Sequence, residues 1–353
     1  MHGLTITEVE IPATLDAPNA TDFIACIEVR SAVWSHDSGT QDEVRPPEEM
    51  LPGWRKQEFE PKRMLLARLD GRPVGRGIAE YRLGDAADTA WLAVEVIPDA
   101  RGRGIGRALA ERVEALAREA RATKFIVYAP CWRVGGPRLA APTGFGDVAA
   151  DTAESRLLQS LGYRLEQVER GSRLPLPVDA AVLEAMQGEA GAAAGGEYRI
   201  HTWVDATPPE WREDIAHLLT RMSTDAPSAG LEESEDPWTV ERLLADEALE
   251  EDSPTVRLVA AVEHMPSGRL AGFTELVLPE DLARPVDQED TIVVREHRGH
   301  RLGMLLKIAN IAYLQRVRRP GHPRIVAYNA EENRHMLDVN EAIGFEPFVY
   351  EGA

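Results

Sequence analysis

Two arginine- and glycine-rich turns are the parts of the chain whose residue types and spacing could do chemistry. The first is Arg101-Gly102-Arg103-Gly104-Ile105-Gly106-Arg107, and the second is Arg298-Gly299-His300-Arg301-Leu302-Gly303-Met304. Each follows an apolar run and opens a helical pattern. A helix start presents free backbone N–H groups and the positive end of the helix dipole, and glycine lets a ligand approach the backbone closely. The sequence therefore predicts two anion sites, to which the arginines add charge-assisted hydrogen bonds.

The elements around the two turns follow the same order, which indicates an internal repeat. A strand, helices, a hairpin and a further strand precede each turn, and a helix, a strand and a helix follow it. Arg101 and Arg298 are 197 residues apart, and Tyr128 and Tyr328 are 200 apart. The first copy then carries about 15 additional residues within a Gly- and Pro-rich stretch, 129–151, which we interpret as a long loop.

The length of 353 residues favours two domains, each with its own core. We predict an N-terminal domain over 1–177 and a C-terminal domain over 198–353. The segment 178–197 between them is rich in glycine and alanine and follows two prolines, so it is predicted to be a flexible linker.

Charge and composition exclude several classes of function. The net charge of −20 argues against a nucleic-acid partner. Most of that charge, −17, lies after Arg173, which favours either solubility or attraction of amine-bearing substrates. With only Cys26 and Cys131, neither a disulfide framework nor a cysteine zinc site is expected, and a reducing cytoplasm fits. No apolar run is long enough to span a membrane, so no membrane partner is predicted.

Neither turn fits the common nucleotide-binding patterns. Both lack the P-loop order, and the residues after Gly104 and Gly106 break the Rossmann spacing. The turns instead resemble the acetyl-CoA signature of the GCN5-related N-acetyltransferases, [Gln/Arg]-x-x-Gly-x-[Gly/Ala]. Arg101-x-x-Gly104-x-Gly106 matches it fully, whereas Arg301 replaces the central glycine in the second copy. The stretch 329–345 is similar to the last conserved segment of that family, and the tandem arrangement is similar to that of mycothiol synthase.

The resemblance implies a fold and a cofactor. The fold class is α/β (α+β), with two tandem domains that each contain a mixed, mostly antiparallel sheet flanked by helices. Acetyl-CoA is the implied co-substrate, and no metal is expected. The CoA contacts implied in the two halves are Val96, Arg101, Gly102, Arg103, Gly104, Ile105, Gly106 and Arg107, then Val293, Val294, Arg298, Gly299, His300, Arg301, Leu302, Gly303, Met304, Asn333 and Asn340.

Acetyl transfer to an amine needs a base, a donor for the thioester oxyanion and an exit for the thiolate. In this family a carboxylate near the strand before the signature often serves as the base. The candidates are Glu289 and Asp290 in the second half and Glu95 in the first, although each could instead be a solvating or arginine-paired charge. The family's usual acid, a tyrosine, is replaced by Leu158 and Asn340.

Three further expectations follow for the site. Tyr328 or Tyr350 could replace the missing acid, or the thiolate could leave directly. Asp225 or Glu232 could hold a cationic acceptor, although a solvated loop explains them as well. We expect the second half to be catalytic, because the first carries its insertion where the arm of CoA would leave.

The predicted function is transfer of acetyl from acetyl-CoA to a primary amine of a small molecule, by direct attack in a ternary complex. The alternative is a non-catalytic acyl-CoA-binding or regulatory module. The protein is expected to be a monomer or homodimer.

Overall fold

The computed structural model describes residues 2–82, 88–132, 135–225, 227–231, 235–317 and 321–353, and these form two large sheets covered by helices. The first half contains β1 (Leu4–Val9), α1 (Ala20–Ser38), α2 (Pro47–Arg55), β2 (Lys62–Leu69), β3 (Arg72–Tyr81), β4 (Thr89–Val96), α3 (Ile105–Glu119), β5 (Lys124–Ile126), β6 (Ala129–Cys131), β7 (Arg138–Ala140), β8 (Asp147–Ala149), α4 (Ala153–Leu161) and β9 (Val168–Pro175). The second half contains α5 (Ala180–Ala194), β10 (Tyr198–Val204), α6 (Arg212–Asp225), α7 (Val240–Glu250), β11 (Val256–His264), β12 (Arg269–Leu278), β13 (Val286–Val293), α8 (Leu302–Val317), β14 (Arg324–Ala330), α9 (Arg334–Ile343) and β15 (Glu346–Gly352).

Both halves build the same unit of four antiparallel strands and a parallel fifth. In the first half, β1 to β4 are antiparallel and β5 runs parallel to β4. In the second half, β10 to β13 are antiparallel and β14 runs parallel to β13. The parallel pairing spans only three residues in each half, so the strands then separate and leave a wedge-shaped gap beside each turn. The predicted α/β tandem fold is confirmed.

Helices cover both faces of each sheet because their apolar residues recur at helical spacing. In α3, Leu109, Val113 and Leu116 lie on one face and are buried against β2, β3 and β4. Helices α1 and α2 pack on the opposite face. In the second half, α8 and α9 cover one face and α6 and α7 the other.

The two halves exchange their last strands. β9 belongs to the first half but lies between β14 and β15 of the second, and β15 pairs with β6 of the first half. The stretch 165–176 therefore contains an interior strand of an eight-stranded sheet. These pairings join residues far apart in the chain, which local patterns do not reveal.

The predicted flexible linker contains helix α5. Asp179 caps its start by accepting hydrogen bonds from the N–H groups of Ala181 and Val182. Alanine has the highest helix propensity, and the small Ala190 and Ala194 let α5 pack closely on the second half. The predicted loop 129–151 likewise contains three short strands, of which β7 and β8 form a hairpin. The domain limits themselves stay a prediction.

Candidate active site

The first turn leaves a helix start open. Gly102 and Gly104 have φ values of 73° and 78°, the left-handed region that glycine adopts without steric cost. Helix α3 begins at Ile105, and its cap Gly104 has no side chain that could bond the first amides. The helical hydrogen bond nearest the turn runs from the N–H of Ala108 to the carbonyl of Gly104, at 3.1 Å. The amides ahead of Ala108 are therefore placed to bind an anion.

Arg101 fixes the turn in place. Its Nε donates to the Val96 carbonyl at 2.9 Å, and its guanidinium binds both carboxylate oxygens of Asp37 at 2.9 and 2.7 Å. These bonds tie the turn to β4 and to the end of α1. Arg103 and Arg107 are exposed and make weaker or peripheral contacts, so they are better placed than Arg101 to reach a phosphate.

A cavity of about 690 Å³ opens beside this turn. It lies between α3 and α4 and follows the gap between β4 and the 127–132 segment. Leu157, Leu158 and Leu161 line it, and no residue of α4 is fully buried. The predicted residues that line the cavity are Glu95, Val96, Arg101, Gly102, Gly104, Ile105, Gly106 and Arg107. An apolar channel that ends at an anion-binding turn suits a ligand with a phosphate end and an apolar arm.

The inserted stretch 129–151 contributes its first residues, Ala129 to Trp132, to the lining of this cavity. Its hairpin, β7 and β8, contributes no described residue. The expectation that the insertion obstructs the arm of CoA stays a prediction.

Glu95 lines the cavity but is already paired. It accepts hydrogen bonds from the guanidinium of Arg76, which lies directly opposite in the β3–β4 register, and from Trp34 Nε1 at 2.9 Å. Burial alone would raise the pKa of Glu95, but the charge and hydrogen bonds of Arg76 hold it below its ordinary value. A carboxylate held ionised in this way is a weak base. The arginine-paired interpretation of Glu95 is favoured, although the pair is buried.

The second turn repeats the same clamp. Arg298 Nε donates to the Val293 carbonyl at 3.0 Å, and its guanidinium binds Asp225 at 2.8 Å. Asp225 also pairs with Arg221 and Arg295, and its side chain is 3% exposed. Asp225 therefore serves the turn and is not available to hold a cationic acceptor. Glu232 lies outside the described residues.

The second turn differs at its centre. Arg301 has a φ of 54° at the position equivalent to Gly104, so an arginine adopts the left-handed conformation that favours glycine. Gly299 also has positive φ, Leu302 is buried, and His300 packs 5.5 Å from the ring of Tyr198. Gly303 is open to added atoms, and Met304 packs against the core. Among the described residues, no group of three potential metal ligands occurs, at this turn or elsewhere.

The buried region next to the second turn contains larger and more polar residues than the cavity of the first half. Counted from the signature arginine, Lys307 corresponds to Ala110, and Asn340 corresponds to Leu158 by its distance from the closing glycine. Burial lowers the pKa of Lys307 to about 7, and its Nζ lies 5.8 Å from the Phe345 ring. Asn340 Nδ2 donates to Asn329 at 2.8 Å, while its Oδ1 is buried without a partner in the described part of the chain.

Asn333, predicted to contact CoA, is the cap of α9. Its side chain accepts a hydrogen bond from the Met336 amide at 3.3 Å, so its role here is to start the helix. Val293 and Val294 lie at the end of β13, where the strand leads into the second turn.

Glu289 and Asp290 occupy a bulge in β13. Thr274 pairs with Thr291 and Leu276 pairs with Gln288, so the two carboxylate residues face only Glu275 on β12. Burial among protein atoms and the neighbouring carboxylates raise the pKa of Glu289 to about 7 and that of Asp290 to about 6. Glu289 is nevertheless exposed to solvent, which weakens the effect of the surrounding protein atoms on its pKa, whereas Asp290 is half-buried. In β4 the register with β3 runs without a bulge, so only the second half has this feature.

Glu275 completes this group, and sequence analysis did not identify it. Burial raises its pKa to about 7, although the charge of Arg257 opposes the shift. None of Glu275, Glu289 and Asp290 lines the cavity of the first half, so the structure separates the predicted carboxylates from Glu95. Tyr328, a candidate acid, donates to Glu43 at 3.4 Å and stacks edge-on against Phe348.

Comparison with known proteins agrees with this architecture. Residues 30–133 match the model of the Acetyltransferase (GNAT) family. A tandem GNAT protein from the clavulanic acid biosynthesis pathway is similar over 99% of this chain and 98% of its own, with a TM-score of 0.71 and 23% identity. A GCN5-related N-acetyltransferase from Sphaerobacter thermophilus is similar over 100% and 95% of the two chains, with a TM-score of 0.61 and 14% identity.

A third structure, a GCN5-related glucosamine N-acetyltransferase region of a fungal multi-domain β-N-acetylglucosaminidase, is similar over 99% of this chain and 38% of its own, with a TM-score of 0.58 and 17% identity. No curated protein sequence gave a significant match. Residues 30–133 of the first half thus match the GNAT acetyltransferase family, and the whole chain has the fold of tandem GNAT proteins. Among the described helices, none is long and apolar enough to cross a membrane.

Proposed function

We propose that the protein is an acetyl-CoA-dependent N-acetyltransferase that acetylates a primary amine of a small molecule by direct attack in a ternary complex. The first half holds an acyl-CoA, and the transfer takes place in the second half. The observation that carries the catalytic assignment is the β13 bulge, which presents Glu289 and Asp290 with raised pKa values.

Acyl-CoA binding in the first half is supported by the open turn and its cavity. The amides ahead of Ala108 and the exposed Arg103 and Arg107 suit a pyrophosphate. The cavity between α3 and α4 suits the pantetheine arm, because its leucines face a channel of about 690 Å³. Glu95 would not act as the base there, since Arg76 already neutralises it.

The chemistry of the second half would use Glu289 as the general base. A pKa near 7 lets its carboxylate take a proton from an ammonium group at neutral pH. The neutral amine then attacks the thioester carbonyl, and backbone N–H groups left unpaired by the bulge stabilise the oxyanion. The C–S bond breaks, and CoA leaves as the thiolate.

Acetyl-CoA in the second half would bind beside the second turn, next to α8 and α9. The buried Asn340 Oδ1 lacks a donor among the described residues, which fits an amide N–H of the pantetheine arm. Asp290 and Glu275 add negative charge near the base, so they favour a cationic acceptor.

The test is release of the CoA thiol from acetyl-CoA in the presence of a panel of di- and polyamines, amino sugars and amino acids. Release that depends on one class of amine, together with its acetylated product, supports the enzyme. If CoA binds but no amine causes thiol release, the protein is a non-catalytic acyl-CoA-binding module. This is the second candidate, because Glu95 in the first half is neutralised by Arg76.

A further inference from the structure

A second cavity of about 340 Å³ adjoins the first-half cavity. The residues that line both cavities, and so lie between them, are Val127, Ala129, Pro130, Cys131, Thr152, Glu154, Leu158 and Tyr163. Leu158 and Cys131 belong to both linings. Leu158 occupies the position where the family usually has a tyrosine. The two cavities are therefore separated there by a flexible apolar side chain.

The insertion of the first half builds the second cavity. Leu139 of β7 and Val148 of β8 line it, and the second half of the sequence has no counterpart of this hairpin. Phe125 and Leu165 line further parts of the wall. Gly352 lets the wall close, because an added Cβ there would come within 2.9 Å of Leu165 Cδ1. The insertion therefore adds apolar wall to this second cavity, whose surface is mostly apolar although Lys124, Glu154, Arg164 and Glu166 line other parts of it.

We propose that this second cavity receives the acyl chain of a medium-chain acyl-CoA bound in the first half. The proposal rests on the acyl-CoA site proposed above and concerns its acyl specificity. With the pyrophosphate at the first turn, the arm runs along the gap between β4 and the 127–131 segment, where the shared lining residues lie. A chain that continues past the thioester enters the second cavity beside Leu158.

The volume sets the length of the chain. At about 30 Å³ for each water-sized group, 340 Å³ holds about ten such groups, which corresponds to an acyl chain of about eight to ten carbons. Each methylene moved from water into an apolar cavity is expected to tighten binding about fourfold.

The experiment is a calorimetric titration of the intact chain with acetyl-, butyryl-, octanoyl- and palmitoyl-CoA. Octanoyl-CoA should bind more than about tenfold tighter than acetyl-CoA, with no further gain for palmitoyl-CoA. Leu139→Trp, which changes only the second cavity, should remove this gain and leave acetyl-CoA affinity unchanged. Leu161→Trp, which changes only the first cavity, should weaken every thioester.

The outcomes separate this proposal from the proposed function. If acetyl-CoA binds but affinity does not rise with chain length, the acyl-chain proposal is overturned while the acetyl-CoA site stands. If no thioester binds, the proposed first-half site fails as well. If Leu139→Trp does not fold, Gln159→Trp provides the same test. Gln159 lies on the exposed face of α4 and lines only the second cavity. A gain in affinity that survives both variants would also overturn the proposal.

Discussion

The two halves share a fold and an arginine clamp but differ in the space next to it. In the first half, α3 and α4 stand apart, and Leu157, Leu158 and Leu161 line a cavity. In the second half, α9 buries Leu337, Val339 and Ile343, and Lys307 lies where the first half has Ala110. The turn whose central position is a glycine therefore lies in the first half, whereas the carboxylates with raised pKa values lie in the second.

The carboxylates of the two halves also differ in their partners and in their pKa values. Glu95 is paired with Arg76, and its pKa is lowered. Glu289 lies in a bulge beside other carboxylates, and its pKa is raised to about 7. In the part of the chain that the structure describes, Glu289 and Asp290 form no ion pair within 4.0 Å, so they are free to exchange protons with a substrate.

The largest expected effect is on turnover. Glu289→Gln should lower kcat by about a thousandfold, because it removes the general base but keeps the shape of the side chain. Glu95→Gln is the matched control, and the folded variant should keep kcat within about threefold of the wild type. Steady-state thiol release measures both. Equal losses, or a larger loss for Glu95→Gln, would reverse the roles of the halves.

The next effect concerns CoA binding to the first turn. Gly104→Arg reproduces Arg301 at the equivalent position, places a side chain at positive φ and crowds the amides, so the Kd for CoA should rise about a hundredfold. Isothermal titration measures this change. An unchanged high-affinity site in Gly104→Arg would show that the first turn does not hold the phosphates.

The pH dependence gives a smaller effect. Because Glu289 must be deprotonated to act as a base, kcat/KM should fall about tenfold for each pH unit below about 7 and level off above it. Glu275 and Asp290 titrate together with Glu289, so the midpoint belongs to the group. Glu289→Gln should remove this limb of the profile. A limb that persists in the variant would assign the proton to another residue.

The smallest effect is on stability. Arg301→Gly should raise the free energy of unfolding by about 0.5–1 kcal/mol, since glycine relieves the left-handed backbone at some entropic cost. Arg121→Gly is the matched control, because Arg121 also has positive φ, at the end of α3. Denaturant titration should give similar gains for both. Only Arg301→Gly should change the KM for acetyl-CoA; identical kinetics in the two variants would remove the second turn from the site.

Local patterns predicted much of this molecule. The signature spacing located both turns, and the repeat in the sequence predicted the tandem sheets. The Asp70-Gly71 turn indicates the hairpin of β2 and β3, but it does not give the register between β3 and β4 that places Arg76 opposite Glu95. Helix α5 was hidden by its glycines, although its alanines favour a helix.

Other features depend on contacts between distant parts of the chain. The exchange of β9 and β15 depends on pairing between the halves, which no local pattern encodes. The clamps from Arg101 to Asp37 and from Arg298 to Asp225 join residues more than 60 positions apart. Burial chiefly raises the pKa of Glu289, and Asp287 and Glu275 add to the shift. Glu289 lies in a bulge of β13, and strand propensity alone does not predict a bulge.

The most direct test of the division between the halves is a crystal structure of the Glu289→Gln variant with acetyl-CoA and the amine that the wild-type protein acetylates. We predict acetyl-CoA at the second turn, with its thioester in line with the amine beside residue 289, and a further acyl-CoA in the first-half cavity, with its pyrophosphate on the amides ahead of Ala108. An amine bound next to Glu95, in line with the first-half thioester, would contradict the account.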